Sequence, residues 1–265
     1  MDLGLKDSRV VVTGGASNIG RGIVHEFAAE GARIVINDID EPQAEKVRSE
    51  ALERGAADVQ IVIADLTVPG AAESVVGAAV EQWGGIDVLV NNAGWSVPGF
   101  VATDTDRDKW QRTIEINFFS ALAATQAAIG PMKDAGEGAL VFIASDAAFG
   151  QIRQGVYGAS KAAMVALART TAREHGRHGI RSNIVCPGLV IPEGPDAVGA
   201  TSLWAVGQDE VFNPKQIDFM LKDTPMRRLT TAEDVGRAVL WFASPRAARQ
   251  VTGQMISVSG GYTMP

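Results

Sequence analysis

Short runs of aliphatic and β-branched residues alternate with longer stretches in which apolar positions recur every three or four residues. The short runs are Arg9–Val12, Arg33–Ile36, Val59–Ile63, Ile86–Val90, Ala139–Ile143, Ile180–Val185 and Gln254–Val258. They have strand length and few polar interruptions, the pattern of strands buried on both faces. The longer stretches run from Ile19 to Glu30, Glu41 to Arg54, Ala71 to Trp83, Arg107 to Met132, through Tyr157 and Lys161 to His175, and from Ala232 to Ala243. In the first of them Ile23, Val24 and Phe27 share one helix face. Strands alternating with helices predict crossover units, and so one α/β domain over residues 1–265 with a parallel sheet covered by helices on both faces. No internal repeat, low-complexity tract or linker divides it.

One segment departs from this rhythm. Val190 to Pro225 carries Pro192, Pro195, Pro214 and Pro225 among scattered apolar residues, including Leu203, Trp204, Phe212 and Phe219. A connection of this length is expected to be functional or disordered, and its aromatic content argues against disorder. A lid over an apolar substrate is expected at about residues 190–225, with Trp204 or Phe212 turned toward the substrate. The alternative is a contact between subunits.

Composition narrows the function classes. The 265 residues are 46% hydrophobic and 21% charged, enough apolar material for a sizeable core. A net charge of −7 with no basic stripe excludes a nucleic-acid footprint. No apolar run reaches membrane-spanning length, and the start of the chain lacks the pattern of a signal peptide. The single cysteine, Cys186, cannot build an internal disulfide framework and reads as a small buried hydrophobe rather than a nucleophile. A cytoplasmic protein without a metal site is the expectation.

The candidate chemistry lies at strand ends. Tyr157 and Lys161 stand four residues apart on one predicted helix, so phenol and ammonium share a face. A nearby cation favours phenolate, which would make a proton donor-acceptor of a tyrosine. Taken alone, a pair at this spacing is more often simply solvated. Thr13 to Gly22 forms a glycine-rich turn between the first strand and the first helix, where a helix N-terminus attracts phosphate. Its spacing is not G-x-G-x-x-G, and a plain strand–helix turn is the alternative. Asp38 ends the second strand eighteen residues after Gly20. There it could accept hydrogen bonds from ribose hydroxyls and repel a 2′-phosphate, favouring NAD over NADP, or it could cap the next helix. Ala64-Asp65-Leu66 and Asn91-Asn92-Ala93-Gly94 follow the third and fourth strands, at the sheet edge where open α/β folds bind ligands.

Together these marks resemble the short-chain dehydrogenase/reductase family over nearly the whole chain. The resemblance rests on Thr13 to Gly20, Asp65, Asn91-Asn92-Ala93-Gly94, Asn117, Ser145, Tyr157-x-x-x-Lys161, Pro187-Gly188, Thr252-Gly253-Gln254 and Gly260-Gly261. It implies a single-domain Rossmann-type fold, a doubly wound parallel sheet of seven strands, in a homotetramer or homodimer that uses NAD(P), with Asp38 favouring NAD. It implies Tyr157 as general acid/base, Lys161 as the group that tunes it and holds the nicotinamide ribose, and Ser145 as the donor to the substrate oxygen. Asn117 would hold a water linking Lys161 to solvent. The implied cofactor-binding residues are Gly14, Ser17, Asn18, Ile19, Gly20, Asp38, Asp65, Leu66, Asn92, Ala93, Gly94, Tyr157, Lys161, Pro187, Gly188 and Val190.

The chain departs from the family pattern in three places. Asn18 stands where the family has a glycine; asparagine tolerates a positive φ, and its side chain would approach the pyrophosphate. Pro192 stands where the family often has a threonine for the carboxamide. The interval from Ser145 to Tyr157 is one residue short, so the loop between them is expected to be tight.

The segments Asn92 to Trp95, Ala144 to Ala148, Ala172 to Ile180 and Val258 to Gly261 look like those of bacterial dehydrogenases of alicyclic hydroxyacyl-CoA thioesters. An apolar or cyclic hydroxy or keto substrate would then meet Trp95, Ser145, Phe149, Ile152, Tyr157 and Trp204. Arg153, Lys215, Lys222, Arg227 and Arg228 could face CoA phosphates or simply water. The rival enzyme readings are a 3-oxoacyl-ACP reductase, against which Asp38 counts, and a steroid, terpene or sugar alcohol dehydrogenase. A non-enzymatic NAD sensor is the reading outside the enzyme class, and an intact Ser–Tyr–Lys set counts against it.

Overall fold

The computed structural model describes residues 2–206, 211 and 213–265. The strands are β1 (Arg9–Thr13), β2 (Arg33–Asp38), β3 (Asp58–Ile63), β4 (Val88–Asn91), β5 (Gly138–Ile143), β6 (Ile180–Pro187) and β7 (Met255–Val258). They form one seven-stranded sheet in the order β3-β2-β1-β4-β5-β6-β7. Every neighbouring pair is parallel. The strand order reverses between β1 and β4, which opens a crevice at the carboxyl ends of those strands.

Side chains one residue apart on a strand serve opposite faces. Val10 and Val12 of β1 pack with Ile23, Val24 and Phe27 of α1 (Asn18–Ala29), Val47 of α2 (Glu41–Glu53), and Val235 and Phe242 of the helix Ala232–Ala243. Val11 instead packs with Val75 of α3 (Ala71–Trp83), Ala124 and Met132 farther along the chain, and Met164 of the helix Gly155–His175. The sheet is thus buried on both sides, as its unbroken apolar runs predict.

The expected helix from Arg107 to Met132 is not one α-helix. It divides into α4 (Arg107–Ile114), a π-helical turn over Glu115–Phe119, and α5 (Ser120–Ala135). A π-turn inserts a residue into the helical ladder and rotates the side chains that follow. Here it sets Asn117 inside, fully buried. Apolar periodicity does not reveal such a turn, because the helix continues on either side.

The tight loop after Ser145 is a single 3-10 turn, Asp146–Phe149, followed shortly by α6 (Gly155–His175). The Val190–Pro225 segment is not structureless. It leaves the sheet at a bridge between Val190 and Thr230. It then forms 3-10 turns at Pro195–Ala197 and Leu203–Val206, and α7 (Pro214–Asp223). Asn213 caps α7 in a reciprocal capping box with Gln216. The chain ends with α8 (Ala232–Ala243) and β7. Among the described residues no helix is long and apolar enough to cross a membrane.

Candidate active site

The glycine turn after β1 is wired to the loop after β4. Asn92 Nδ2 donates to the carbonyls of Thr13 (2.9 Å) and Gly14 (2.8 Å). The Thr13 hydroxyl accepts from Asn92 N and Ala93 N, both at 3.0 Å. This brings the chain so close that a Cβ on Gly20 would lie 1.9 Å from the Gly14 carbonyl oxygen. Asn18 takes the expected positive φ, 43°. Its side chain, expected near a pyrophosphate, instead donates to the Val190 carbonyl at 3.2 Å and ties the turn to the base of the Val190–Pro225 segment.

Asp38 and the capping role separate cleanly. Asp40 caps α2, accepting from Gln43 N. Asp38 accepts from Ala16 N (3.0 Å), Ile39 N (2.8 Å) and Asp40 N (3.2 Å). Burial pushes its carboxyl above the ordinary range, and these N–H groups pull it back.

At the other end, α6 presents Tyr157 and the buried Lys161. Lys161 Nζ donates to the Ile143 carbonyl at 2.8 Å and lies 5.8 Å from the centre of the Tyr157 ring. Ser145 lies close enough to Tyr157 to favour the phenolate form. Asn117 grips the Trp95 backbone in both directions, accepting from its N–H (2.7 Å) and donating to its carbonyl (2.9 Å). It also donates to Ser160 Oγ (2.9 Å), which donates to the Tyr157 carbonyl (2.7 Å). The π-turn is therefore bolted to α6 through Ser160. Gly94 fills the remaining space, since a Cβ there would lie 3.2 Å from Lys161 Nζ and 3.3 Å from Asn117 Oδ1.

The electrostatics correct one expectation. Lys161 does not pull the tyrosine below its ordinary value. Burial pushes Tyr157 up to about 12 and Lys161 down to about 8. Each loses hydration of its charged form, and the ammonium is turned to a backbone carbonyl rather than to the phenol oxygen. The buried Cys186 thiol is likewise pushed up to about 11, in keeping with a packing role.

These parts line one cleft of about 590 Å³. It brings together Gly14, Ser17, Asn18, Ile19, Gly20, Asp38, Asp65, Leu66, Asn92, Ala93, Gly94, Trp95, Tyr157, Lys161 and Trp204. Ser145 and Asn117 stand behind that lining, and Asn117 reaches it through its hydrogen bonds to the Trp95 backbone. Pro187, Gly188 and Val190 do not line it, and Val190 is buried. Phe149 and Ile152 also stand outside the lining, exposed at 46% and 82%. Phe212 lies outside the described residues.

Thr201, Ser202 and Leu203 join Trp204 in the wall. They are held by α2, where Asp40 accepts from Ala200 N (2.7 Å) and Lys46 Nζ donates to the Asp196 carbonyl (3.0 Å). Sequence reasoning also missed Ser160 and Arg112, whose guanidinium lies 5.5 Å from the centre of the Trp95 ring. Ser160 carried a usable signal, a small polar residue on the tyrosine's own helix. The Asp40–Ala200 contact carried none, because the two residues are far apart in sequence.

The cleft suits a dinucleotide. Among the described residues the Ser17 hydroxyl is buried without a partner at the N-terminus of α1, where a phosphate oxygen would satisfy it. The Asp38 carboxylate lies along the same wall.

A family model described as enoyl-(acyl carrier protein) reductase matches residues 14–263. The chain is 34% identical to the (2S)-[(R)-hydroxy(phenyl)methyl]succinyl-CoA dehydrogenase subunit BbsD of Thauera aromatica, over 99% of each chain. It is 32% identical to D-beta-hydroxybutyrate dehydrogenase of Rhizobium meliloti, over 96% of this chain and 97% of that one. It also resembles a solved structure of 7α-hydroxysteroid dehydrogenase complexed with NADH and 7-oxo glycochenodeoxycholic acid. That similarity has a TM-score of 0.88 at 32% identity, covering 98% of this chain and 96% of the other.

Proposed function

The chain belongs to the short-chain dehydrogenase/reductase family, a family of oxidoreductases, and on that premise we propose that it interconverts a secondary alcohol and a ketone with NAD as cofactor. The observation that carries this reading is one cleft with a phosphate-ready glycine turn at one end and, at the other, Tyr157 and Lys161 with Ser145 close behind the tyrosine. Bound NAD would supply the hydride acceptor. Tyr157 takes the proton from the substrate hydroxyl in oxidation and returns it in reduction. Ser145 hydrogen-bonds the reacting oxygen. Lys161 presents its charge beside the tyrosine, and Asn117 holds Gly94 and Trp95 against α6. Ser17, Gly20 and the α1 N-terminus hold the phosphates, and Asp38 holds the ribose hydroxyls. Asp38 also favours NAD over NADP, since no Arg or Lys lies between Asn37 and Gln43 to offset its charge.

For the substrate, an apolar or ring-bearing hydroxy compound fits Trp95, Leu203 and Trp204 in the wall. The likeness to BbsD supports an acyl-CoA ester, and the likeness to 7α-hydroxysteroid dehydrogenase supports a fused ring. Val190–Pro225 acts as the lid. A homotetramer or homodimer belongs to the same reading. The test is NAD reduction across cyclic alcohols and hydroxyacyl-CoA thioesters, run on the parent and on Tyr157→Phe. The variant is expected to lose about two to four orders of magnitude in turnover with NAD binding nearly intact. A variant that keeps most of its turnover removes Tyr157 as the acid/base.

A further inference from the structure

The mechanism above leaves one buried carboxyl unused. Asp146 directly follows Ser145, opens the 3-10 turn after β5 and is 8% exposed. It has no ion pair among the described residues. Its side chain hydrogen-bonds to Ser145, and the titratable groups near enough to feel its charge are the Tyr157 phenol of α6, the Cys186 thiol of β6 and the Tyr262 phenol near the C-terminus. The Ser145 hydroxyl donates to Asp146 Oδ1 at 3.3 Å and accepts from Ala147 N at 3.1 Å.

A serine hydroxyl has one proton to give and two lone pairs to receive. While Asp146 is ionised, that proton is committed to the carboxylate, and Ser145 has none to offer the cleft. Once Asp146 is protonated, the carboxylic acid donates to Ser145 Oγ. The oxygen then accepts from Asp146 and Ala147 together, and the serine proton is released toward Tyr157 and the substrate oxygen. We propose that Asp146 is a positioning residue that sets, through the Ser145 hydroxyl, whether that hydroxyl donates into the cleft. The proposal rests on the reading of Ser145 and Tyr157 given above.

Burial pushes the Asp146 carboxyl up to about 6, within reach of ordinary pH, while the Ser145 and Ala147 hydrogen bonds pull it down. Ketone reduction depends on donation to the carbonyl oxygen. Its kcat/KM is therefore expected to be highest with Asp146 protonated. It should fall by up to about a hundredfold as the pH rises through that region, the scale of losing one oxyanion donor.

Two measurements test this on the full chain. The first is the 13C chemical shift of aspartate-labelled protein, with the Asp146 signal assigned by its absence in Asp146→Asn. Its midpoint is expected near 6 and should move upward in Ser145→Ala, which removes the donor to the ionised form. A midpoint in the ordinary carboxylate range, or one that Ser145→Ala leaves unmoved, overturns the proposal whatever the turnover.

The second measurement is NADH-dependent reduction of ethyl 2-oxocyclohexanecarboxylate from pH 5 to 9. Asp146→Asn and Asp146→Ala should both lose the limb near pH 6. Ser145→Ala should lose it too, and adding Asp146→Asn to Ser145→Ala should change nothing further. A limb that persists in the Asp146 variants sinks the proposal. If Tyr157→Phe is inactive while the Asp146 variants keep the parent profile, Asp146 alone fails and the acid/base reading stands. If Tyr157→Phe stays active, that reading fails, and the labelled-carboxyl titration still judges the Asp146–Ser145 coupling.

Discussion

The floor and the roof of the cleft are built to different standards. The floor is the glycine turn, the Asn92–Gly94 loop and Lys161. Its polar contacts, part-buried at Asn92 and buried at Lys161, join β1, the loop after β4, β5 and α6. The roof is formed by residues of the Val190–Pro225 segment, whose ties include two exposed contacts, Ala200 N to Asp40 and Lys46 to Asp196, and two part-buried ones, from Gln43 to the Asp196 carbonyl and from Asn18 to the Val190 carbonyl. Buried hydrogen bonds shielded from water are costly to open, whereas exposed ones exchange with solvent at little cost. A firmer floor beneath a more loosely tied roof would suit the proposed binding of a constant cofactor beneath a variable substrate.

The sharpest way to break this comparison is Gly20→Ala. A methyl group cannot occupy a site 1.9 Å from the Gly14 carbonyl oxygen, so the turn must move. A loss of about 3 kcal/mol in urea unfolding is expected, together with weakened NAD binding. A variant of parental stability would show that the floor is looser than its contacts imply.

Next in size is Lys161→Met. Burial holds Lys161 near 8 against an ordinary 10.5, so below about pH 8 the folded chain carries a poorly hydrated ammonium. Between those values the unfolded chain binds a proton that the folded chain releases, so parent stability rises with pH across that window. The variant, freed of this cost, should be more stable by about 1–3 kcal/mol at pH 7. The gain should shrink as the pH passes 8. Urea unfolding at pH 7 and pH 9.5 measures both, and a destabilised variant would contradict the sign.

Asp38→Ser alters the floor without disturbing its steric fit. It should narrow the preference for NAD over NADP by about tenfold in kcat/KM, because a like charge no longer faces a 2′-phosphate. Equal efficiency with both cofactors in the parent would dismiss Asp38 as the discriminator. The smallest effect belongs to the roof. Trp204→Ala should raise KM for a bulky alcohol about three- to tenfold while leaving NAD affinity and sedimentation mass unchanged. A change in mass with KM unaltered would make the segment a subunit contact instead.

Much of this protein could be read from its chain. Burial on both faces writes itself into a strand as an unbroken apolar run, and amphipathic helices repeat every three to four residues. For that reason Ala71–Trp83 and Ala232–Ala243 appear in the structure with the bounds the pattern predicts. Tyr157 and Lys161 were legible because helical spacing alone places them on one face, and Asn18 because few other residues accept a positive φ. Tertiary structure alone decided the rest. The π-turn that buries Asn117 leaves the apolar period of its flanks intact. The clasp between Asp40 and Ala200 joins residues that only folding brings together. The upward shift of Tyr157 follows from burial in a site walled by several elements. Local pattern encodes the elements and the side chains they share; packing sets how far each side chain is removed from water, and with it the proton affinities on which the chemistry turns.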